Sequence, residues 1–280
     1  MSNNDSHAIS RSGNRLHHGA PGGPLMLSRL AGPLRRVVRP LGRAKLVSHR
    51  LVGRLVELAG NQVTIEGLHF SVDNPLITTR QKGLLDVGLH ETGEIALACR
   101  YIVADLPVVE LGGGIGVVSC IINRRLTCPT DHVVVDANAD LIPTLEANRR
   151  LNGAGFRIRN VALAYGSVET ALAIDSFVTS RVGGVGRRAL VATATLASLL
   201  EETAFERINL VVDIEGAEVD LVEREGPLLA RRARILIVET HPQFAGEEAI
   251  ARMLMALRIL GFAEVARVRD VFAFEHRTPG

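Results

Sequence analysis

Acidic residues and a histidine recur in this sequence at the carboxyl ends of apolar runs, close to one glycine-rich turn. Glu110 precedes Gly112-Gly113-Gly114-Ile115-Gly116, Asp136 closes HVVVDA, Asp213, Glu215 and Glu218 follow INLVV, and Glu239 and His241 follow RILIV. Glycines let a backbone turn sharply and approach a ligand with no Cβ in the way. The N–H groups that open the following helix favour negative charge. The spacing is GxGxG, and Val117 stands where a dinucleotide fingerprint wants its third glycine. A carboxylate two residues before the first glycine, Glu110, would repel a pyrophosphate but can accept a hydrogen bond from an ammonium. Asp136 lies 20 residues beyond Gly116, where nucleotide-binding α/β folds place a carboxylate for ribose hydroxyls. A carboxylate-plus-ammonium end joined to a ribose describes S-adenosylmethionine, so these residues point to methyl transfer rather than hydride transfer.

On that reading Glu110, Gly112, Gly114 and Gly116 serve the methionine end of S-adenosylmethionine. Asp136 and Ala137 serve the ribose, and the Val161-Ala162-Leu163 segment, with Ala162, lies near the adenine. Asp213, Glu215 and His241 are candidates to position an acceptor and remove its proton, since ligands in open α/β sheets bind at the carboxyl ends of strands and a histidine there can act as general base. Plainer roles exist for each. A glycine turn also serves packing, Asp136 could be a surface acid, Glu215 and Glu218 suit a helix N-terminus, and His241 could be a loop residue. No metal is assigned. The alternative is a divalent cation held by Asp213, Glu215 and His241, which a chelator would reveal. Two further alternatives are a nicotinamide-dependent oxidoreductase, which lacks its third glycine here, and a non-catalytic binding module that keeps the fold.

The elements that must position these residues alternate. PVVELG (107–112), HVVVDA (132–137), FRIRNVAL (156–163), RINLVVDIEG (207–216) and RILIVET (234–240) read as strands, and the segments 84–104, 115–125, 139–151, 195–205, EVDLVEREGPLLAR and 247–261 read as helices. Near-continuous apolar strands suit a parallel sheet covered on both faces, and their alternation with helices indicates right-handed βαβ units. AEVARVRDVFAFE reads as a closing hairpin around Arg269-Asp270. The expected fold is α/β, Rossmann-like, with a mostly parallel seven-stranded sheet and an antiparallel C-terminal hairpin. Ahead of it, residues 1–25 read as a disordered basic arm and 26–83 as a small N-terminal cap of short helices, broken at Pro33 and Pro40, and short strands. The catalytic domain then spans 84–280. RVGGVGRR (181–188) reads as a flexible loop, with a mobile lid or an anionic-substrate contact as its alternative.

Composition narrows the function classes. The chain has 280 residues, 47% hydrophobic and 22% charged, with aromatics at 4% and no Trp. So few aromatics argue against a stacking platform for single-stranded nucleic acid or carbohydrate, and nucleic acid is not an expected partner. Residues 1–50 hold nine Lys/Arg against Asp5, leaving 23 basic and 29 acidic residues for the rest. A basic arm can touch nucleic acid or an anionic membrane, or be a solvated leader. Three cysteines without CxxC spacing fit a reducing cytosol. No apolar run approaches the roughly 20 residues of a membrane span, and the N-terminus lacks the apolar region of a secretory signal. A cytoplasmic location is the expectation.

Together the motifs resemble the FkbM-type methyltransferases over roughly residues 84–275. The resemblance rests on His90-Glu91-Thr92-Gly93-Glu94, ELGGGIG, VVVDANADLIPTLEANRRLNG with Asn148, NVALAYG, TLASLLEE, the DxEGxE core of VVDIEGAEVDLVE, and ETHP. It implies a class I S-adenosylmethionine fold and O-methylation of a hydroxyl on a sugar, glycan or secondary metabolite. Two positions depart from the pattern. Val211 stands where many members have a lysine, which puts any lysine-assisted role in doubt, and Asp136-Ala137 replaces Glu-Pro, a conservative change for ribose binding.

Overall fold

The computed structural model describes residues 24–176, 179–182 and 187–276. The chain begins with α1 (Pro24–Arg43) and α2 (His49–Leu58), the hairpin β1 (Gln62–Ile65) and β2 (Leu68–Ser71), then α3 (Thr79–Asp86) and α4 (Thr92–Tyr101). The βα alternation follows with β3 (Val108–Leu111), α5 (Val117–Asn123), β4 (His132–Val135), α6 (Ile142–Leu151) and β5 (Arg157–Arg159). A second sheet comes next, built from β6 (Ala162–Leu163), β7 (Glu169–Ser176), β8 (Thr179–Val182) and β9 (Arg187–Ala194) in the order β6-β9-β7-β8. The chain closes with α7 (Leu196–Thr203), β10 (Ile208–Val212), α8 (Glu218–Arg232), β11 (Ala233–Glu239), α9 (Pro242–Ala245), α10 (Glu247–Ile259), β12 (Phe262–Val268) and β13 (Val271–His276).

The main sheet has seven strands in the order β12-β13-β11-β10-β3-β4-β5. The five strands from β11 to β5 run parallel, and β12 and β13 add the antiparallel hairpin at the β11 edge. This is the expected Rossmann-like α/β architecture. From β3 the chain moves outward through β4 and β5, then returns to β10 on the other side. The order therefore reverses between β3 and β10, and a crevice must open at their carboxyl ends.

Strand residues feed both faces of the sheet. Leu210 and Val212 pack with Leu199, Leu221 and Met253 on one side, while Val211 packs with Leu97, Val118 and Ile122 on the other. Burial on both faces explains the unbroken apolar runs. The cap joins the second side, where Phe70 and Val72 share a cluster with Ile115, Leu145 and Phe156. Asn148 ties it further, donating from Nδ2 to the carbonyls of Ser71 (3.1 Å) and Ile115 (2.8 Å) while its Oδ1 accepts from the Ser71 N–H (2.7 Å).

Several expected elements differ. Helix α1 runs through both Pro33 and Pro40. Each proline removes an i→i−4 bond, but tertiary anchoring holds the helix: Arg35 pairs with the buried Asp86, and Arg39 donates to the Thr64 carbonyl at 2.9 Å. The arm expected at 1–25 lies outside the described residues up to residue 23, and Pro24 and Leu25 already belong to α1. The helix expected over 84–104 is two helices separated by a loop at 87–91, where Glu91 takes left-handed φ 53° as the N-cap of α4. The strand expected over 156–163 is divided between two sheets, β5 and β6. Residues 183–186 of the expected loop at 181–188 lie outside the described residues; Arg187 and Arg188 begin β9. Among the described residues, no helix is long and apolar enough to cross a membrane.

Candidate functional site

The glycine turn leaves β3 at the point where the strand order reverses. The Asp213 N–H donates to the Leu111 carbonyl at 2.8 Å, continuing the β3–β10 ladder one residue past the strands. A Cβ on Gly112 would stand 1.8 Å from the Asp213 carbonyl oxygen, and Gly112 has φ +93°. Only glycine allows the two backbones to meet this closely. Gly114 has φ +53°, and an added Cβ would have nothing nearer than Glu91 Oε1 at 4.0 Å. Its outward side is open. Gly116 serves packing instead, since a Cβ there would reach 2.6 Å from Leu145 Cδ1.

A cavity of about 500 Å³ opens beside this turn. Gly112, Gly114, Asp136, Ala137, Ala162, Asp213, Glu215 and His241 line it together, drawn from the ends of four strands of the main sheet and from β6. Gly116 and Glu110 are not among its lining residues. The Glu110 side chain is fully enclosed beneath the turn: Oε1 accepts from Ser119 Oγ at 2.9 Å, and Oε2 lies 3.1 Å from His132 Nε2. Ser119 and His132 are themselves entirely buried. The three form a satisfied internal polar group that braces β3, β4 and α5.

Asp136 links the second strand to the turn. Its Oδ2 accepts the Gly114 N–H at 2.6 Å and its Oδ1 the Asn138 N–H at 2.8 Å. Asn160 Nδ2 holds the Asp136 carbonyl at 2.8 Å. Burial pushes the carboxyl up to about 6, against the lowering effect of the two N–H donors.

The opposite wall is acidic. Glu91, Glu94, Asp213, Glu215 and Glu239 all line the cavity, with His241 among them. Burial drives Glu91 well above the usual carboxylate range, with Glu94 and Asp213 adding to the effect. Asp213 rises for the same first reason, resisted by His241. Glu239 rises through burial and through a hydrogen bond shared with Glu94; two carboxyls joined this way need a proton between them. His241 Nε2 lies 3.4 Å from Asp213 Oδ1 and 3.7 Å from Glu215 Oε2, while Nδ1 lies 3.3 Å from Glu218 Oε1. Burial alone would lower the imidazole, but the Glu218 hydrogen bond and the charges of Asp213 and Glu215 outweigh it and lift His241 to about 9. Glu218 is wholly buried; it also accepts the backbone N–H groups of His241 (2.9 Å) and Gly216 (2.7 Å). Glu91 and Glu215 both sit at φ 53°. Left-handed backbone at non-glycine residues costs roughly 1–2 kcal/mol each and concentrates where surrounding structure holds a working side chain in place.

The sequence reading placed Asp213, Glu215 and His241 together, and the structure brings them into contact range. It gave no site role to Glu91, Glu94 or Glu239. Glu91 and Glu94 precede the glycine turn by some twenty residues, and only the folding of α4 against the strand ends brings them to the cavity. A signal for Glu239 was present, because it ends an apolar strand in the same way as Asp213.

Residues 141–263 match the family model of the methyltransferase FkbM domain. The resemblance to that family read from the sequence is borne out over this span. The matched span contains DIEGAE and ETHP, and so Asp213, Glu215, Glu218, Glu239 and His241; it begins after the glycine turn and Asp136. Similar solved structures include a ribosomal protein L11 methylase from Lactobacillus delbrueckii subsp. bulgaricus, at 15% identity and TM-score 0.40, covering 66% of this chain and 77% of that one. A precorrin-6y C5,15-methyltransferase from Geobacter metallireducens is 12% identical over 73% of this chain and 91% of its own, with TM-score 0.42. An O-methyltransferase from Bacillus cereus, in complex with SAH, is 8% identical over 65% of this chain and 78% of its own, with TM-score 0.37. No curated protein matches the sequence.

Proposed function

We propose that this chain, which the FkbM methyltransferase model matches over residues 141–263, is an S-adenosylmethionine-dependent O-methyltransferase acting on a hydroxyl of a sugar, glycan or secondary metabolite. The observation that carries the reading is the union, in one cavity at the reversal of strand order, of an open glycine turn, the Asp136 carboxylate and a wall of five further carboxylates. S-adenosylmethionine fits this donor set, because its ammonium and sulfonium are both cations and its ribose offers two hydroxyls. When bound, it supplies a methyl group on a sulfonium sulfur, and transfer of that methyl to oxygen leaves a neutral thioether.

The residues divide the work. Gly112 and Gly114 let the methionine end lie against bare backbone. Asp136 accepts from the ribose hydroxyls, and Ala137 and Ala162 form part of the surface beyond it. Glu91 and Glu94 face the ammonium as hydrogen-bond acceptors, and the incoming cation favours their ionised forms in surroundings that screen charge weakly. Asp213, Glu215 and His241 stand at the transfer end. Added positive charge in the cavity disfavours an imidazolium, so His241 gives up its proton there, and Nε2 can then take the proton of an acceptor hydroxyl while Glu218 holds Nδ1. The protein otherwise aligns the acceptor oxygen and excludes water.

Calorimetric titration of S-adenosylmethionine tests the reading. We expect micromolar binding by the native protein and none by Gly114→Arg, whose side chain would enter the open side of the turn. Binding of NAD in place of S-adenosylmethionine would overturn it. Methylation of amine-bearing acceptors while hydroxyl-bearing ones stay unmodified would overturn the oxygen specificity alone.

One observation favours a variant of this mechanism. Donor atoms of Asp213, Glu239 and His241 lie within 4.8 Å of one another, and such a set could hold a divalent cation beside the acceptor hydroxyl. Turnover abolished by a chelator and restored by magnesium or manganese would favour this variant, and turnover indifferent to chelation would refute it.

A further inference from the structure

Helix α1 is amphipathic in the wrong sense for a helix that faces water. Its inward side carries Ala31 and Gly42, both buried, with Arg35 and Arg39 directed at the buried carboxylate of Asp86. Its outward side carries Leu34, Val37 and Leu41, which are 52%, 66% and 39% exposed. A spacing of three and four residues puts these three side chains in one stripe. A surface helix of a soluble domain shows the opposite arrangement, apolar residues in and charges out.

The charge around the stripe has one sign. From residue 6 to residue 56 the sequence contains ten Lys/Arg and no Asp or Glu. Arg36 and Arg43, seven residues apart, share a second exposed edge of α1, about 100° or more around the helix from the stripe, and Lys45, Arg50 and Arg54 are exposed just beyond the helix. Leu46, 74% exposed, extends the apolar surface past the end of the helix.

We propose that the outward face of α1 docks on an anionic membrane surface. Leu34, Val37 and Leu41 enter the boundary between headgroups and acyl chains, and Arg36 and Arg43 meet the lipid phosphates, as interfacial helices with a basic polar border do. A nucleic acid would satisfy the arginines but gives the apolar stripe nothing to enter. A second copy paired symmetrically through the stripe would cover the apolar residues but bring together two surfaces of the same positive sign, with no acid from residue 6 to 56 to offset them. Only an anionic apolar interface answers both features. The inference stands apart from the methyltransferase reading, since none of these residues lines the cavity.

Flotation of the full chain with vesicles tests it. We expect the protein to float with phosphatidylcholine vesicles containing phosphatidylglycerol, to stay in solution with pure phosphatidylcholine, and to be released by raised salt. Leu34→Glu/Val37→Glu/Leu41→Glu is expected to lower the bound fraction at least tenfold with an unchanged thermal unfolding midpoint. Equal flotation of this variant and the native chain would overturn the proposal. So would flotation by neither vesicle type, whether accompanied by retention on RNA or by dimerisation in light scattering that the variant loses. If the triple variant unfolds, Arg36→Ala/Arg43→Ala replaces it, and flotation unchanged by that pair would also overturn the proposal.

Discussion

Replacing Asp136 by Asn keeps the shape of the side chain and removes both its charge and one acceptor. Each oxygen of Asp136 already receives a backbone N–H, from Gly114 at 2.6 Å and from Asn138 at 2.8 Å. An amide has a single acceptor oxygen, so its NH2 must face one of those donors. An unsatisfied buried group of this kind costs about 1–3 kcal/mol, and the same carboxylate is the proposed acceptor for the ribose, where a hydrogen bond to a charged group contributes roughly 1.5–3 kcal/mol. The stranded donor weakens the folded protein whether or not the ligand is bound, so the ribose hydrogen bond sets the loss in S-adenosylmethionine binding, about 2 kcal/mol, close to a thirtyfold rise in Kd. The pH dependence follows from burial, which raises the carboxyl to about 6. Binding by the native protein should weaken by up to a further tenfold per pH unit below about 6, as the acceptor takes a proton, on top of the slope that the loss of the His241 proton imposes up to about pH 9. The variant should show no such acid limb. Isothermal titration between pH 5 and 8 measures both effects. A variant that binds within threefold of the native protein, or one that keeps the same acid limb, would refute the ribose role and the link between Asp136 and the turn.

Glu110→Ala should act on stability rather than on the cavity. It strands Ser119 and His132 in the interior, so urea unfolding should show a loss of about 2–4 kcal/mol, with S-adenosylmethionine affinity changed far less than in Asp136→Asn; a neutral effect on stability would contradict the enclosed polar group. His241 is 5% exposed and lifted to about 9, above its ordinary value of 6.5. A raised folded pKa contributes stability that is fully present below 6.5 and lost as pH climbs through 9. The unfolding midpoint of the native protein should therefore decline across that window, and His241→Asn should remove this part of the decline, which differential scanning calorimetry reads directly. An identical profile for both proteins would show that the carboxylates around His241 do not hold it protonated.

Local pattern made the sheet readable from the sequence. Strands buried on both faces must be apolar throughout, so VVEL, HVVV, INLVV and ARILIVE announced themselves, and the glycine turn marked where the first of them ends. The placement of Asp136, Asp213, Glu215 and His241 followed from one rule, that ligands gather at the carboxyl ends of such strands. The sheet of β6, β7, β8 and β9 gave a weaker signal. β6 is only two residues long, and β9 is largely exposed with its burial alternating only loosely, so no clean period separates them from loop.

What the sequence by itself determined is the order of the elements, the glycine turn that ends β3 and the identity of the strand-end acids, because each depends on a chain segment and its own periodicity. Tertiary structure decided which way the side chains at those positions point and what meets them. Glu110 reads like a ligand-facing acid, yet His132, 22 residues away, takes it into the core. Glu91 and Glu94 read like the start of an ordinary helix, yet packing of α4 across the strand ends turns them onto Asp213 and Glu239. The arginines of α1 read like a solvated arm, yet Asp86, 51 residues from Arg35, draws two of them inward and leaves leucine and valine outside. Each of these outcomes rests on a buried charge finding its partner far along the chain, and the strength of that pairing is set by the low-dielectric surroundings that only the folded protein creates.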